Sequence, residues 1–164
     1  LVHGVRNVIH NKTLIVKLTP NVTDIALPAQ AAIDGGADAI SLINTLRAMA
    51  IDLTTWQPKL GNQVGGLSGQ AIHPVAVYMV HRCYTSCCRK HGIPIIGMGG
   101  VSHGEDALEL ILAGATCVGI GTAMFREESI FSDINKYLSN YLHENNINNI
   151  ANLVGKAAGK RRQI

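Results

Sequence analysis

Two glycine-rich strand endings carry the chemical signal in this chain. They are Ile93-Pro94-Ile95-Ile96-Gly97-Met98-Gly99-Gly100-Val101 and, after one helical segment, Cys117-Val118-Gly119-Ile120-Gly121-Thr122-Ala123. Consecutive buried strands that stop in glycine and hand over to helices can hold a phosphate through backbone N–H groups, at the open face of a (β/α) barrel. That points to a phosphorylated cofactor or substrate. A third run, Val64-Gly65-Gly66-Leu67-Ser68-Gly69, places three glycines directly ahead of a helix. Backbone donors and the positive end of a helix dipole could meet an anion there, or a flat ligand could press on the bare chain; a flexible lid stem is the plainer alternative.

Four strand–helix units must position these residues. Leu14-Ile15-Val16-Lys17-Leu18 is a β-branched apolar run closed by Thr19-Pro20-Asn21, and Thr23 or Asp24 can cap the helix that follows and ends at Gly35-Gly36. Ala39-Ile40-Ser41-Leu42-Ile43-Asn44 is the second strand, with a helix predicted over about residues 71–89. The third strand begins at Ile93 and its helix runs over about residues 104–113. The fourth begins at Cys117, with helical sequence near residues 129–143 and again near 147–156.

Continuous apolar strands alternating with amphipathic helices predict a parallel sheet covered by helices, which a doubly wound sheet and a barrel both satisfy. The polar residues decide between them. Lys17, Asn44, Gly99-Gly100 and Gly121-Thr122 all fall at the carboxyl ends of strands, so that all four units line one face. A dinucleotide fold would instead carry G-x-G-x-x-G after its first strand, and Gly97-Met98-Gly99-Gly100 lacks that continuation. The expected fold is therefore α/β, the C-terminal half of a (β/α)8 TIM barrel, a piece of something longer with an exposed apolar edge.

Residues 45–70 exceed the length of an ordinary βα loop, and such excursions are usually functional. A small hairpin is predicted there, pairing residues 50–54 with 59–62 around a turn at Trp56-Gln57-Pro58.

Composition excludes several classes. The chain has 164 residues, 47% of them hydrophobic and 15% charged, which suits one buried α/β domain. Its net charge of +3 owes much to Lys156, Lys160, Arg161 and Arg162, read as a solvated tail, and no basic stripe interleaved with aromatics marks a nucleic-acid surface. No apolar run reaches the roughly 18 residues of a membrane span, and the four cysteines show neither a C-x-x-C pair nor a zinc pattern. Reduced thiols in a cytoplasmic protein are expected, with no metal site. His73, His81, His91 and His103 read as surface or helix-end residues.

Taken together, Val16-Lys17-Leu18-Thr19-Pro20-Asn21, Ile43-Asn44-Thr45, Gly65-Gly66-Leu67-Ser68-Gly69, Ile95-Ile96-Gly97-Met98-Gly99-Gly100-Val101 and Gly121-Thr122-Ala123 resemble the dihydroorotate dehydrogenase family, in the same order and at similar spacing. The likeness is greatest to its class 1B catalytic subunits, although class 1A enzymes and dihydropyrimidine dehydrogenase barrels share much of the pattern.

The resemblance implies one partial FMN-binding barrel domain over residues 1–164, with 45–70 as an active-site loop. It implies FMN contacts at Lys17, Ile43, Gly69, Gly99, Gly100, Gly121 and Thr122, and contacts to dihydroorotate or orotate at Asn44 and Thr45. Lys17 matches the lysine at the pyrimidine edge of the flavin, where a cation stabilises the charge that develops on hydride transfer. The amide of Asn44 suits the alternating N–H and C=O edge of a dihydropyrimidine. The reaction implied is oxidation of (S)-dihydroorotate to orotate in pyrimidine biosynthesis. A partner subunit carrying FAD and an iron–sulfur cluster is implied for class 1B, in a homodimer or heterotetramer.

The family's catalytic base lies on a loop of the earlier barrel half, and its motif does not occur in these residues. Cys83, Cys87 and Cys88 stand at the wrong point in the order to replace it. The helix that carries them is a few residues longer than the family pattern, which reads as a surface insertion. A phosphate-binding half barrel without redox chemistry and a noncatalytic flavin-binding or interaction domain are the alternatives. Lys17 and Asn44-Thr45 favour the dehydrogenase, since a simple phosphate binder needs neither.

Overall fold

The computed structural model of the chain describes residues 1–159. Lys160, Arg161 and Arg162, three residues of the expected basic tail, lie outside them. Four parallel strands, β1 (Ile15–Lys17), β2 (Ala39–Leu42), and two more at Ile95–Met98 and Cys117–Gly119, form one sheet in chain order. The long excursion between the second and third of these contributes four short strands, β3 (Leu46–Ala48), β4 (Ile51–Asp52), β5 (Gln57–Pro58) and β6 (Gly65–Leu67), so the last two sheet strands are β7 and β8. A sheet whose strands neighbour one another in sequence order has no switch point of the doubly wound kind. It is part of a (β/α)8 barrel.

Helices separate the sheet strands: α1 (Val2–Arg6) precedes β1, and α2 (Ala26–Asp34) joins β1 to β2. Before β7 come α3 (His73–Cys83) and a short α4 (Arg89–His91), while α5 (Gly104–Ala113) leads to β8 and α6 (Ile130–Glu144) follows it. Successive helices pack on each other, α2 on α3, α3 on α5 and α5 on α6, as in the outer layer of a barrel. Between sheet and helices lies the core, with Ile25, Ile40, Leu42, Val80, Ile95 and Leu110 fully buried. All four residues of β2 are buried because it is flanked on both sides. On the edge strands, Ile15 and Cys117 are exposed, in keeping with the expected open edges.

Four sequence expectations meet a different arrangement in the structure. The hairpin exists, but Gln57-Pro58 forms its second strand against Ile51-Asp52 rather than its turn, with Asp52 accepting the Thr54 and Thr55 N–H groups to close the loop. The glycine run does not approach the helix as loose chain; Gly65–Leu67 pairs antiparallel with Leu46–Ala48, and one 3-10 turn, Gln70–Ile72, intervenes before α3. The helix predicted to carry extra surface length widens into a π turn at Tyr84–Cys88, with Thr85 and Ser86 exposed but Cys87 and Cys88 buried. The terminal helix predicted over residues 147–156 is reduced to 3-10 turns at Ile150–Leu153 and Lys156–Ala158.

Two ion pairs fasten distant segments. Arg6 on α1 donates to the Gly36 carbonyl and pairs with Asp38, whose carboxylate also accepts the Leu14 N–H. Arg82 on α3 pairs with Asp24, which also takes the Ala26 N–H at the start of α2. The Leu14 N–H and Arg6 hold the Asp38 carboxyl below its ordinary value, as Arg82 and the Ala26 N–H do for Asp24. A carboxyl whose folded value is depressed contributes stability above its unfolded value, about pH 4, and that contribution is lost as pH falls through the folded value. Unfolding followed from pH 6 to pH 2 should therefore show stability falling below about pH 4, with a smaller fall in the Asp24→Asn/Asp38→Asn double variant. Leu110→Ala, at a fully buried site, should lower stability by about 2–5 kcal/mol, read from the urea midpoint.

Candidate functional site

Beyond the carboxyl ends of β7 and β8 the chain closes around a cavity of about 760 Å³. Gly69, Gly100, Gly121 and Thr122 all line it, together with Ser68, Ser102 and His103. Three segments far apart in sequence thus meet there, and each was singled out by its glycines. Thr122 opens the 3-10 turn Thr122–Phe125, and its hydroxyl donates to Ser68 Oγ at 3.0 Å, which ties the loop after β8 to the end of the excursion. At Gly121 a side chain would meet nothing within 4 Å, so bare main chain borders open space.

Gly100 is glycine for two separate reasons. Its φ is +71°, a left-handed conformation that side chains disfavour, and a Cβ there would stand 2.8 Å from the His73 backbone nitrogen and 2.9 Å from the Gly69 oxygen. Both neighbours are main chain, which gives way least. Gly99, with φ +137°, contributes its carbonyl to the same junction, where it lies 2.9 Å from His73 Nδ1.

His73 is the residue whose position sequence reading missed most clearly. It starts α3, as a helix-end residue should, but only 5% of it is exposed, so it is not a surface histidine. Its Nε2 lies 3.0 Å from Glu109 Oε2 and 3.8 Å from Asp106 Oδ1, both on α5. The second Asp106 oxygen accepts the Ser102 and His103 N–H groups at the start of that helix. His73, Asp106 and Glu109 offer ligand atoms within 4.8 Å of one another, a spacing a cation could use. No sequence interval of the usual ligand kind announces this group, because the topology of two helices assembles it.

The other sequence-selected residues stand outside the cavity lining, along the same carboxyl edge at the β1–β2 end. Lys17 is exposed at the end of β1. Ile43 is buried just past β2 and donates its N–H to the Met98 carbonyl of β7. Asn44 is exposed, donates its N–H to the Leu18 carbonyl and takes the Thr45 N–H on its own Oδ1. Asn21, which the sequence marked as a strand breaker and as the end of one family-like run but gave no contact, fixes this segment: its amide donates to the Thr45 carbonyl and accepts the Arg47 N–H. Two neighbouring groups result, one rich in bare backbone and one carrying a cation and an amide. The order of the sheet strands sets them side by side.

None of the three clustered cysteines is disposed to act as a nucleophile. Burial pushes the Cys83 thiol up to about 12 and raises Cys87 and Cys88 as well, so each stays protonated and apolar in character.

A family model described as dihydroorotate dehydrogenase matches residues 1–142. The catalytic subunit of dihydroorotate dehydrogenase B (NAD(+)) from Brachyspira hyodysenteriae is 50% identical over 154 residues, covering 94% of this chain and 50% of the relative. The subunit of the same name from Carboxydothermus hydrogenoformans is 50% identical over 157 residues, 96% of this chain and 50% of the relative. That of Alkaliphilus oremlandii is 52% identical over 143 residues, 87% and 46% respectively. The chain spans about half the length of the curated relatives it matches.

Replacing His73 by Ala strips the part-buried Gly99 carbonyl of its partner, a loss of about 1–3 kcal/mol. A chemical-denaturation midpoint lowered by that amount is expected, and an unchanged midpoint would remove His73 from the junction's support.

Proposed function

Because the chain belongs to the dihydroorotate dehydrogenase family, we propose that it forms part of an FMN-dependent dihydroorotate dehydrogenase. The reaction is oxidation of (S)-dihydroorotate to orotate in de novo pyrimidine biosynthesis. What supports this reading is the cavity that gathers Gly69, Gly100, Gly121 and Thr122, next to the cation and amide of Lys17 and Asn44.

The residues present fit the cofactor. Backbone N–H groups at Gly100 and Gly121 are donors a phosphate needs, the Thr122 hydroxyl joins them on turning away from Ser68 Oγ, and open space at Gly121 leaves room for the group. Bound FMN supplies the acceptor for the hydride that leaves C6 of the substrate. Lys17 would place its ammonium at the pyrimidine edge of the flavin, where positive charge stabilises the reduced form. Ile43 and Gly69 would border the flavin with main chain, with Gly99 backing the turn. Asn44 and Thr45 would hold the substrate ring through paired donors and acceptors. The base that takes the C5 proton belongs to a part of the barrel beyond these residues.

Residues 45–70 act in this reading as the loop that covers the substrate, on a single partial barrel domain. Electrons leave, in the class 1B arrangement, through a partner subunit with FAD and an iron–sulfur cluster. Assembly as a homodimer or heterotetramer and a cytoplasmic location belong to the same proposal. Among the described residues, no helix is long and apolar enough to cross a membrane.

The 164-residue chain with added FMN is expected to show no measurable turnover of dihydroorotate, while a chimera joining it to the remaining half of the Brachyspira barrel should turn over and be yellow. In that chimera Lys17→Ala should cut flavin reduction by about 100-fold or more, read by stopped-flow absorbance. A colourless chimera that binds sugar phosphates instead would replace this reading with a simple phosphate-binding barrel.

A further inference from the structure

The charge around the cavity is one-sided. Glu105, Glu127 and Asp133 line it, and Arg126 is the single Lys or Arg among the lining residues. Ser129 engages two of the carboxylates, donating its hydroxyl toward Glu127 and Asp133. Arg126 has no such engagement: among the described residues its guanidinium takes part in no ion pair and no side-chain hydrogen bond. It is exposed, and it follows the 3-10 turn that Thr122 begins. The Arg126 N–H donates to the Ala123 carbonyl and the Met124 N–H to the Gly121 carbonyl, so the backbone joining Gly121, Thr122 and Arg126 is fixed.

A phosphate monoester carries close to two negative charges at neutral pH. Backbone N–H groups and hydroxyls satisfy its hydrogen bonds but leave most of that charge uncompensated, and three nearby carboxylates oppose it. A guanidinium is always charged, and its planar fork matches phosphate oxygens. We propose that Arg126 is the phosphate-binding cation of this cavity, and the residue that makes it prefer a phosphorylated flavin to the unphosphorylated one. The inference rests on the reading of the cavity as the phosphate end of an FMN site.

The test compares FMN with riboflavin, which differ in the phosphate alone, by isothermal calorimetry on the full chain and on the Brachyspira chimera. Arg126→Gln is expected to weaken FMN binding by about tenfold at low salt and leave riboflavin binding unchanged. Arg126→Lys, which keeps the charge without the fork, should fall between. Since the side chain is exposed, the folded core does not depend on it, and matching thermal unfolding of the three proteins checks this. Equal FMN affinity in wild type and Arg126→Gln overturns the inference and leaves the FMN reading standing. A loss shared equally by FMN and riboflavin also overturns it, by assigning Arg126 to the ring or to loop structure. Failure of both wild-type forms to bind either flavin overturns the FMN reading itself, and the inference with it.

Discussion

The main chains at Gly69, His73 and Gly100 approach so closely that a methyl group on Gly100 would collide with two of them at once. The rest of the cavity follows from that approach. It brings the end of the excursion, the first turn of α3 and the turn after β7 into one junction, and the Thr122–Ser68 hydrogen bond then draws in the loop after β8. Because all the crowded atoms at Gly100 except the His73 Cβ are backbone, side-chain repacking has little room to relieve a larger residue. His73 braces the junction from beneath through the Gly99 carbonyl, and its contact with Glu109 extends the brace to α5.

Much of this was legible in the sequence because glycines report backbone geometry directly. Gly99, Gly100, Gly121 and Gly69 mark places where the chain must be bare, and strand order then brings all but Gly99 to the cavity wall. Parallel strands were legible for a similar reason, since a strand buried on both faces reads as an unbroken apolar run. Residues whose role depends on partners from other elements were not legible. The contacts of His73, Asn21 and Arg126 carry no local signature; each gains its place from hydrogen bonds or a cavity formed by segments tens of residues away. The Gln57-Pro58 misreading has a local cause: proline usually marks a turn, but at the edge of a two-stranded ribbon its missing N–H costs little.

The two halves of the site differ in kind. At the β7–β8 end the wall is largely bare main chain, insensitive to protonation and rotamer choice, with the Arg126 guanidinium as its one Lys or Arg side chain among the lining residues. At the β1–β2 end the exposed groups are side chains, Lys17 and Asn44, on a scaffold held by Asn21. That division suits a ligand with one anchored terminus and one reactive terminus. The anchor fixes position, and the exposed side chains meet whatever chemistry the other end brings.

The π turn at Tyr84–Cys88 separates chain length from strand phase. Adding one residue to a regular helix rotates everything beyond it by about 100°, which would swing the face presented at Ile93 away from the sheet and carry β7 out of alignment with β2. A single wide turn absorbs such a residue locally. The pairing of Ile40 with Ile95 is kept, and the helix resumes as α4 before Gly92. The glycines that depend on β7 for their position are thereby insulated from the local length of this stretch of the barrel wall.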